Sequence, residues 1–533
     1  MNPSDPKRAA PTRREELLAR LARGGTWDLA VVGGGATGLG VALDAAARGL
    51  KVVLLESHDF AKGTSSRATK LVHGGVRYLA QGNIGLVREA LRERTTLLKN
   101  APHLAQPLAF VMPSYRIWET PFYGAGLKIY DALAGAAGLG ATQFLSRRQT
   151  LACLPTARPD GLKGGVKYWD GQFDDARLAL ALARTAAARG ALLVNYCPVT
   201  ALLHGAGKLQ GVTCKDAETG REFSVRAKCV VNATGVWVDE LRRRDGEAQG
   251  KPIDAMVAPS QGVHAVVDRE FLPGSHALMV PKTADGRVLF GVPWMGKLIL
   301  GTTDTPRGDL AREPRPFREE LDFILAESAR YLVRAPRRED IRSLWVGLRP
   351  LVKPVGDDAE KTKSLSREHT VLVSKTGLVT VTGGKWTTYR AMAEDVLDKC
   401  FDAGLLPRSR GGVTTNLPVV GAPTGGAVGT SISAAPGLHL YGSEAGEVAA
   451  IQGGQRQLGG GLTAAMVRFA ARHEYARTVE DVLARRVRLL FLDAALAASL
   501  SAEVGALLLE ETGVDPQAAA FRELAQSYLR MPA

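Results

Sequence analysis

No stretch of the 533-residue chain approaches the roughly 18 consecutive apolar residues of a membrane-crossing helix, so any membrane contact is expected to be peripheral. Residues 1–25 are rich in charge and lack an apolar core segment, so they are not expected to act as a secretory signal. Cysteine is scarce: five residues, at 153, 197, 214, 229 and 400, widely spaced and with no C-x-x-C pair. That pattern argues against a disulfide framework or a structural zinc site, and for buried reduced thiols in a reducing compartment. The histidines show no metal-ligand spacing, and no metal is expected. No internal repeat and no folded nucleic-acid module is present, and nucleic acid is not an expected partner.

What is abundant is positive charge. Sixty-eight Lys and Arg stand against 54 Asp and Glu, a net +14, with the basic residues spread along the chain. An anionic substrate or an anionic membrane surface fits that balance. The length calls for two or three domains.

The chain is organised around residues 27–78. An apolar strand over 29–32 runs into Gly33, Gly35 and Gly38, with Ala36 and Thr37 between them. A helical stretch follows over 39–48, then a second apolar strand over 51–55 that ends on Glu56. Glycines spaced G-x-G-x-x-G between strand and helix, with an acid ending the next strand, form a dinucleotide site. The helix N-terminus offers N–H groups to the pyrophosphate, and Glu56 accepts from the ribose hydroxyls. Beyond it come Thr64, Ser65 and Ser66, suited to phosphate or ribitol oxygens, then Lys70-Leu71, His73-Gly74-Gly75 and Arg77-Tyr78-Leu79.

These runs resemble FAD-dependent sn-glycerol-3-phosphate dehydrogenases, within the glycine-oxidase-like flavoenzymes, and the resemblance covers most of the chain beyond residue 26. It implies an α/β fold with three parts: a Rossmann-like FAD-binding domain, an antiparallel-sheet substrate domain and an all-helical C-terminal domain. The expected order is an N-terminal extension (1–26), FAD-binding segments at 27–110, 166–254 and 346–405, a substrate and membrane-contact segment at 111–165, a substrate domain at 255–345 and the helical domain at 406–533.

Local patterns fill in this outline. Residues 15–23 read as a short amphipathic helix in a solvated tail, and 84–100 as an amphipathic helix ended by Pro102-His103. Between 110 and 145, Tyr115, Ile117, Trp118, Phe122, Tyr123, Ile129 and Tyr130 stand among Arg116, Lys128 and glycines, a composition that fits either core packing or a bilayer interface. The resemblance favours the membrane, because the dehydrogenases of this family are peripheral membrane enzymes. Asp174-Asp175 opens a helix, with acid in the first turn as the helix dipole prefers. A buried strand over 229–231 meets the turn of Ala233 and Gly235, and strands alternate from 262 to 302. Residues 421–461, rich in Gly, Ala and Ser, read as a linker.

A second glycine turn, Gly383-Gly384-Lys385, follows a strand and leads through Thr387 into a helix whose N-terminus favours negative charge on a reduced flavin ring. The resemblance implies that FAD is held by Gly33, Gly35, Ala36, Thr37, Gly38, Glu56, Thr64, Ser65, Ser66, Lys70, His73, Gly74, Gly75, Val199, Ala233, Gly235, Gly384, Lys385 and Thr387. A phosphate monoester needs several cationic donors, preferably forked. Arg77 with Tyr78, Arg349, Arg367 and Lys385 are grouped as a substrate pocket by the resemblance alone. A base near neutrality points to histidine, with His264 and His73 as the two candidates beside Arg349 and Lys385. At 261 and 263 the chain carries Gln and Val where Lys and Ser are common in the family.

The implied activity is oxidation of glycerol 3-phosphate to dihydroxyacetone phosphate by hydride transfer to FAD. Electrons would pass to a membrane quinone at the cytoplasmic face of the inner membrane, and a homodimer through the C-terminal helices is compatible with the family. Two alternatives accompany this reading: an oxidase that releases hydrogen peroxide, and a non-catalytic basic membrane- or nucleic-acid-binding protein on a flavin fold.

Overall fold

In a computed structural model, residues 12–79, 82–283, 286–353, 369–425 and 429–532 are described. The strand Trp27–Val32 is buried along almost its whole length, as a central parallel strand covered on both faces must be. It pairs in parallel with Val52–Leu55 on one side and Glu222–Asn232 on the other, so the strand order reverses beside it. Leu192–Val194 and Leu378–Gly383 extend the sheet in parallel, and His369–Val373 closes it antiparallel. Helices Ala36–Ala47, Asp175–Ala188 and Tyr389–Asp402 cover this layer. Open parallel sheets bind ligands at such a reversal, outside the carboxyl ends of the strands.

A second sheet is built chiefly from antiparallel pairs. Val257–Asp268 lies between Ser343–Val352 and Lys297–Gly301, and the order runs on through Leu289–Trp294, Ala277–Val280, Ala105–Ser114 and Gly164–Phe173 to Leu71–Val72. Only Ala277–Val280 with Ala105–Ser114 is parallel among these described pairs. Residues 71–72, just past the first glycine motif, thereby tie the nucleotide layer to this sheet.

The C-terminal part is helical, with Ala464–His473, Ala494–Thr512 and Ala518–Leu529 packed around Phe491, Val504 and Leu508. Two segments depart from the sequence reading. Residues 14–22 are no solvated tail: helix Arg14–Ala22 buries Leu17 and Leu21, and the Arg14 guanidinium donates to the carbonyls of Asn195 (2.9 Å) and Tyr196 (3.0 Å) and pairs with Asp216. Nor is 421–461 a plain linker, since Ile432, Leu440, Tyr441 and Val448 are buried and 445–450 is helical. Small residues there permit close packing as readily as flexibility. The segment over 110–145 splits the two readings: Leu127 and Tyr130 of helix Glu119–Ala134 are buried, while Ile117, Trp118, Phe122 and Ile129 face outward.

Candidate active site

The first glycine turn is held by steric necessity. Gly33 adopts φ +108°, and a Cβ there would lie 2.6 Å from the Ala233 carbonyl. At Gly38 a Cβ would meet the Gly33 carbonyl at 1.9 Å, so the helix could not sit this close to the strand. Glu56 accepts hydrogen bonds from the N–H groups of Gly34 (2.6 Å) and His58 (2.9 Å), which fixes its carboxylate beneath the turn. The Ser65 hydroxyl caps the N–H of Ala36 at 2.9 Å.

Above this turn opens a cavity of about 530 Å³, within the usual span of cofactor sites. It is lined by Gly33, Gly35, Ala36, Thr37, Glu56, Thr64, Ser65, Val199, Ala233, Gly235, Gly384 and Lys385, all named from the sequence. Lys62, Trp237, Arg312, Pro350 and Trp386 line it as well. The Trp386 indole N–H donates to the Ser65 carbonyl at 2.8 Å and so joins the second glycine turn to the 64–66 turn. The cavity thus runs from a ribose-type acid through a helix N-terminus to a second glycine turn, and these residues fit a flavin dinucleotide.

Other residues named from the sequence lie outside the cavity lining. Ser66 is buried, and its carbonyl accepts from Lys70 (2.8 Å) and Arg488 (2.7 Å). Lys70 is fully buried, paired with Asp175 at 2.6 Å and surrounded by the rings of Trp294, Trp345 and Phe491. Burial, opposed by the Asp175 carboxylate, pulls its ammonium pKa down to about 7. Gly74 is glycine for a local reason, since a Cβ would meet the Tyr130 hydroxyl at 2.3 Å. Next to it Gly75 takes φ +78°, and the His73 carbonyl accepts from the Thr387 hydroxyl at 3.4 Å. Arg77 and Tyr78 lie in the short helix Val76–Leu79, and Arg367 falls outside the described residues.

Adjacent strands of the second sheet carry the remaining candidates, Arg349 paired opposite Ser260 and Trp345 opposite His264. The Arg349 guanidinium donates to the carbonyls of Thr303 (2.9 Å) and Gln261 (3.3 Å) and to the Thr302 hydroxyl (3.0 Å), with Asp304 at 3.2 Å. Gly262 makes room for it, because a Cβ there would lie 2.3 Å from an Arg349 nitrogen. The His264 ring is stacked on Trp345 with centroids 4.1 Å apart, and its Nε2 is 2.9 Å from the Thr69 hydroxyl. Burial, with the charges of Lys70 and Arg349, holds His264 well below the ordinary histidine range, so the imidazole is neutral. Its Nδ1 is buried without a partner among the described residues. The unusual Gln261 is buried too, donating to Glu320 at 2.6 Å.

Sequence reasoning missed Thr69, Asp175, Trp345 and Arg488. The acid at 175, read as a helix-start residue, is the buried counterion shared by Lys70 and Arg488. Residues separated by 105 and 313 positions leave no local signal of that kind.

Residues 28–390 match the FAD dependent oxidoreductase family, and 412–519 match the C-terminal domain of alpha-glycerophosphate oxidase. The chain is therefore an FAD-dependent oxidoreductase, and FAD is its cofactor. A probable mitochondrial glycerol-3-phosphate dehydrogenase of Caenorhabditis elegans is 41% identical over 95% of this chain and 73% of its own length. The Bos taurus mitochondrial glycerol-3-phosphate dehydrogenase is 45% identical over 75% of this chain, but the match spans only 56% of that protein. Among solved structures, glycerol-3-phosphate dehydrogenase from Bacillus halodurans complexed with FAD superimposes with a TM-score of 0.76 at 29% identity, covering 98% of each chain. Within the oxidoreductases, this chain belongs to the glycerol-3-phosphate dehydrogenase family.

Proposed function

We propose that the protein oxidises the C2 hydroxyl of sn-glycerol 3-phosphate, giving dihydroxyacetone phosphate, and delivers the electrons to a membrane quinone. The observation that carries the reading is that the family match does not stop at the FAD domain: it continues through the helical domain at 412–519, whose family is named for glycerophosphate chemistry. FAD, when bound, supplies the acceptor for the hydride on the substrate's C2.

The residues of the chain have distinct tasks in this scheme. Arg349 presents a forked guanidinium held by two carbonyls and a hydroxyl, suited to a phosphate or to the developing carbonyl oxygen. Lys385 stands at the second glycine turn on the cavity wall and supplies a further cation. Arg77, one turn from the Gly74-Gly75 pair, and Arg367 complete the proposed phosphate set. A neutral histidine must take the hydroxyl proton. Burial keeps His264 uncharged but makes it a weaker base than the near-neutral group the chemistry favours, with its buried, unpartnered Nδ1 as the proposed acceptor. His73, in contact with the second glycine turn, is the other candidate.

Peripheral membrane attachment is supported by one apolar surface. Ile117 (81% exposed), Trp118, Phe122 (65%) and Ile129 project from the start and outer face of helix Glu119–Ala134, with Phe144 beside it. No helix among the described residues is long and apolar enough to cross a membrane. The proposed location is the cytoplasmic face of the inner membrane. An oxidase reading is favoured by one observation, the oxidase name of the C-terminal family. Steady-state turnover with a soluble quinone analogue against oxygen alone separates the two. Turnover that requires the quinone supports the dehydrogenase, and stoichiometric peroxide without it overturns that assignment.

A further inference from the structure

Between the substrate sheet and helix Arg318–Tyr331 the chain crosses to the nucleotide domain, where residues 310–313 are pinned at three points. The Trp237 indole N–H donates to the Leu310 carbonyl at 3.0 Å. Arg312 stacks its guanidinium on the Trp237 ring, 3.8 Å from the centroid. Glu313 receives an Arg67 nitrogen at 2.7 Å on both carboxylate oxygens, and the Tyr528 hydroxyl at 3.1 Å. Of this short strap, Arg312 lines the cofactor cavity.

Arg312 lines that cavity and lies in the electrostatic range of Glu56 and Glu240, at the end where the ribose acid stands. The neighbouring cavity cations are already engaged: Lys62 is paired with Glu480 at 2.8 Å, and Arg244 with Glu240 at 2.7 Å. Among the described residues no carboxylate lies within ion-pair distance of Arg312. Stacking on an indole fixes the guanidinium plane and leaves its edge donors free for a forked contact. A dinucleotide brings a doubly charged pyrophosphate into the cavity, and the turn over 33–37 meets it with backbone N–H groups but no cationic side chain.

We propose that Arg312 is a cofactor-binding residue, the cation of a clasp formed by residues 310–313 that closes over the pyrophosphate of FAD. The proposal rests on the cofactor assignment and is independent of the substrate. Release of FAD from the full-length holoenzyme, followed by the recovery of free-flavin fluorescence, tests it. Arg312→Ala raises the Kd for FAD about tenfold, the effect of one lost charge-assisted contact, and makes that Kd less sensitive to salt. Arg312→Lys keeps the charge without the fork and falls between. Glu313→Gln, which loosens the strap, shifts the Kd the same way. Arg318→Ala, an equal charge loss on the outer helix, leaves it unchanged. In displacement assays ADP loses affinity for the Arg312→Ala protein while adenosine does not. An unaltered Kd and salt dependence in Arg312→Ala overturns the proposal, and so does an equal loss for adenosine and ADP, which would put Arg312 on the base instead. Because bound flavin is counted rather than turnover, failure of the substrate reading cannot imitate either result.

Discussion

At the scale of single residues, two basic groups show how position sets chemistry. The Arg349 guanidinium is oriented by backbone carbonyls, so its fork is fixed before any ligand arrives. Arg349→Ala is expected to lower kcat/KM by about 100-fold or more, and Arg349→Lys to recover little, because an ammonium cannot reproduce the fork. Steady-state kinetics with the FAD content matched between variants checks this. His103 makes stability depend on pH. Burial, together with the charge of Arg177, pushes its imidazole down to about 3, whereas in an unfolded chain it titrates near 6.5. Between those values the unfolded chain binds a proton that the folded one does not, so this contribution to stability is present above pH 6.5 and is lost as the pH falls towards 3. His103→Gln should flatten the acid limb of the stability profile by up to about 1.4 kcal/mol per pH unit, measured by urea unfolding between pH 5 and 7. An unchanged slope contradicts the assignment. His264, lowered well below its ordinary value by burial, Lys70 and Arg349, acts in the same direction.

Elements show most plainly what the sequence makes legible. The strand, glycine turn, helix and acid over 27–56 could be read directly, because each glycine answers a local steric demand and each strand is a continuous apolar run. Strands read at 262–267, 277–280, 288–293 and 298–302 match the observed Val257–Asp268, Ala277–Val280, Leu289–Trp294 and Lys297–Gly301 for the same reason. Helix Arg14–Ala22 reads as part of a tail because a nine-residue amphipathic stretch is marginal alone, and only the buried Asp216 explains why Arg14 holds it down. The role of Lys70 was illegible too. Placed beside the flavin run in sequence, it turns inward to Asp175, and nothing within the motif announces that partner. Trp118→Ser with Phe122→Ser removes apolar surface already exposed to water, so the thermal midpoint should stay nearly constant. The vesicle partition constant, read by sedimentation with anionic vesicles, should fall by about 100-fold or more, since each ring buried in a bilayer contributes about 2 kcal/mol. Undiminished sedimentation would remove this face from the membrane contact.

Across the whole molecule, the helical domain is wired to the flavin domain by buried charge. Asp59, three residues beyond Glu56, receives both Arg485 and Arg486, and Arg488 reaches Asp175 at 3.0 Å and the Ser66 carbonyl at 2.7 Å. Arg177 with Glu474 (2.8 Å) and Arg184 with Glu444 (2.6 Å) add two further links. The C-terminal domain thus buttresses the loop that carries the residues around the cofactor. Asp59→Ala strips Arg486 of its carboxylate partner in a dry interior, while Arg485 keeps Glu480 (2.7 Å) and Asp481 (2.8 Å), and should cost about 3–5 kcal/mol of stability, read by chemical denaturation. A loss below about 1 kcal/mol would show the junction to be wet and the coupling weak.

A redox site specific for the phosphate ester, built where these parts meet, would show itself in anaerobic bleaching of the flavin. Absorbance near 450 nm (roughly the band of oxidised flavin) is followed as sn-glycerol 3-phosphate is added to the purified holoenzyme, with glycerol as control. Bleaching is expected with the phosphate ester alone, and is expected to be lost in Arg349→Ala protein that still holds flavin. A yellow protein that the ester does not bleach, or one bleached equally by glycerol, would contradict a site of that specificity.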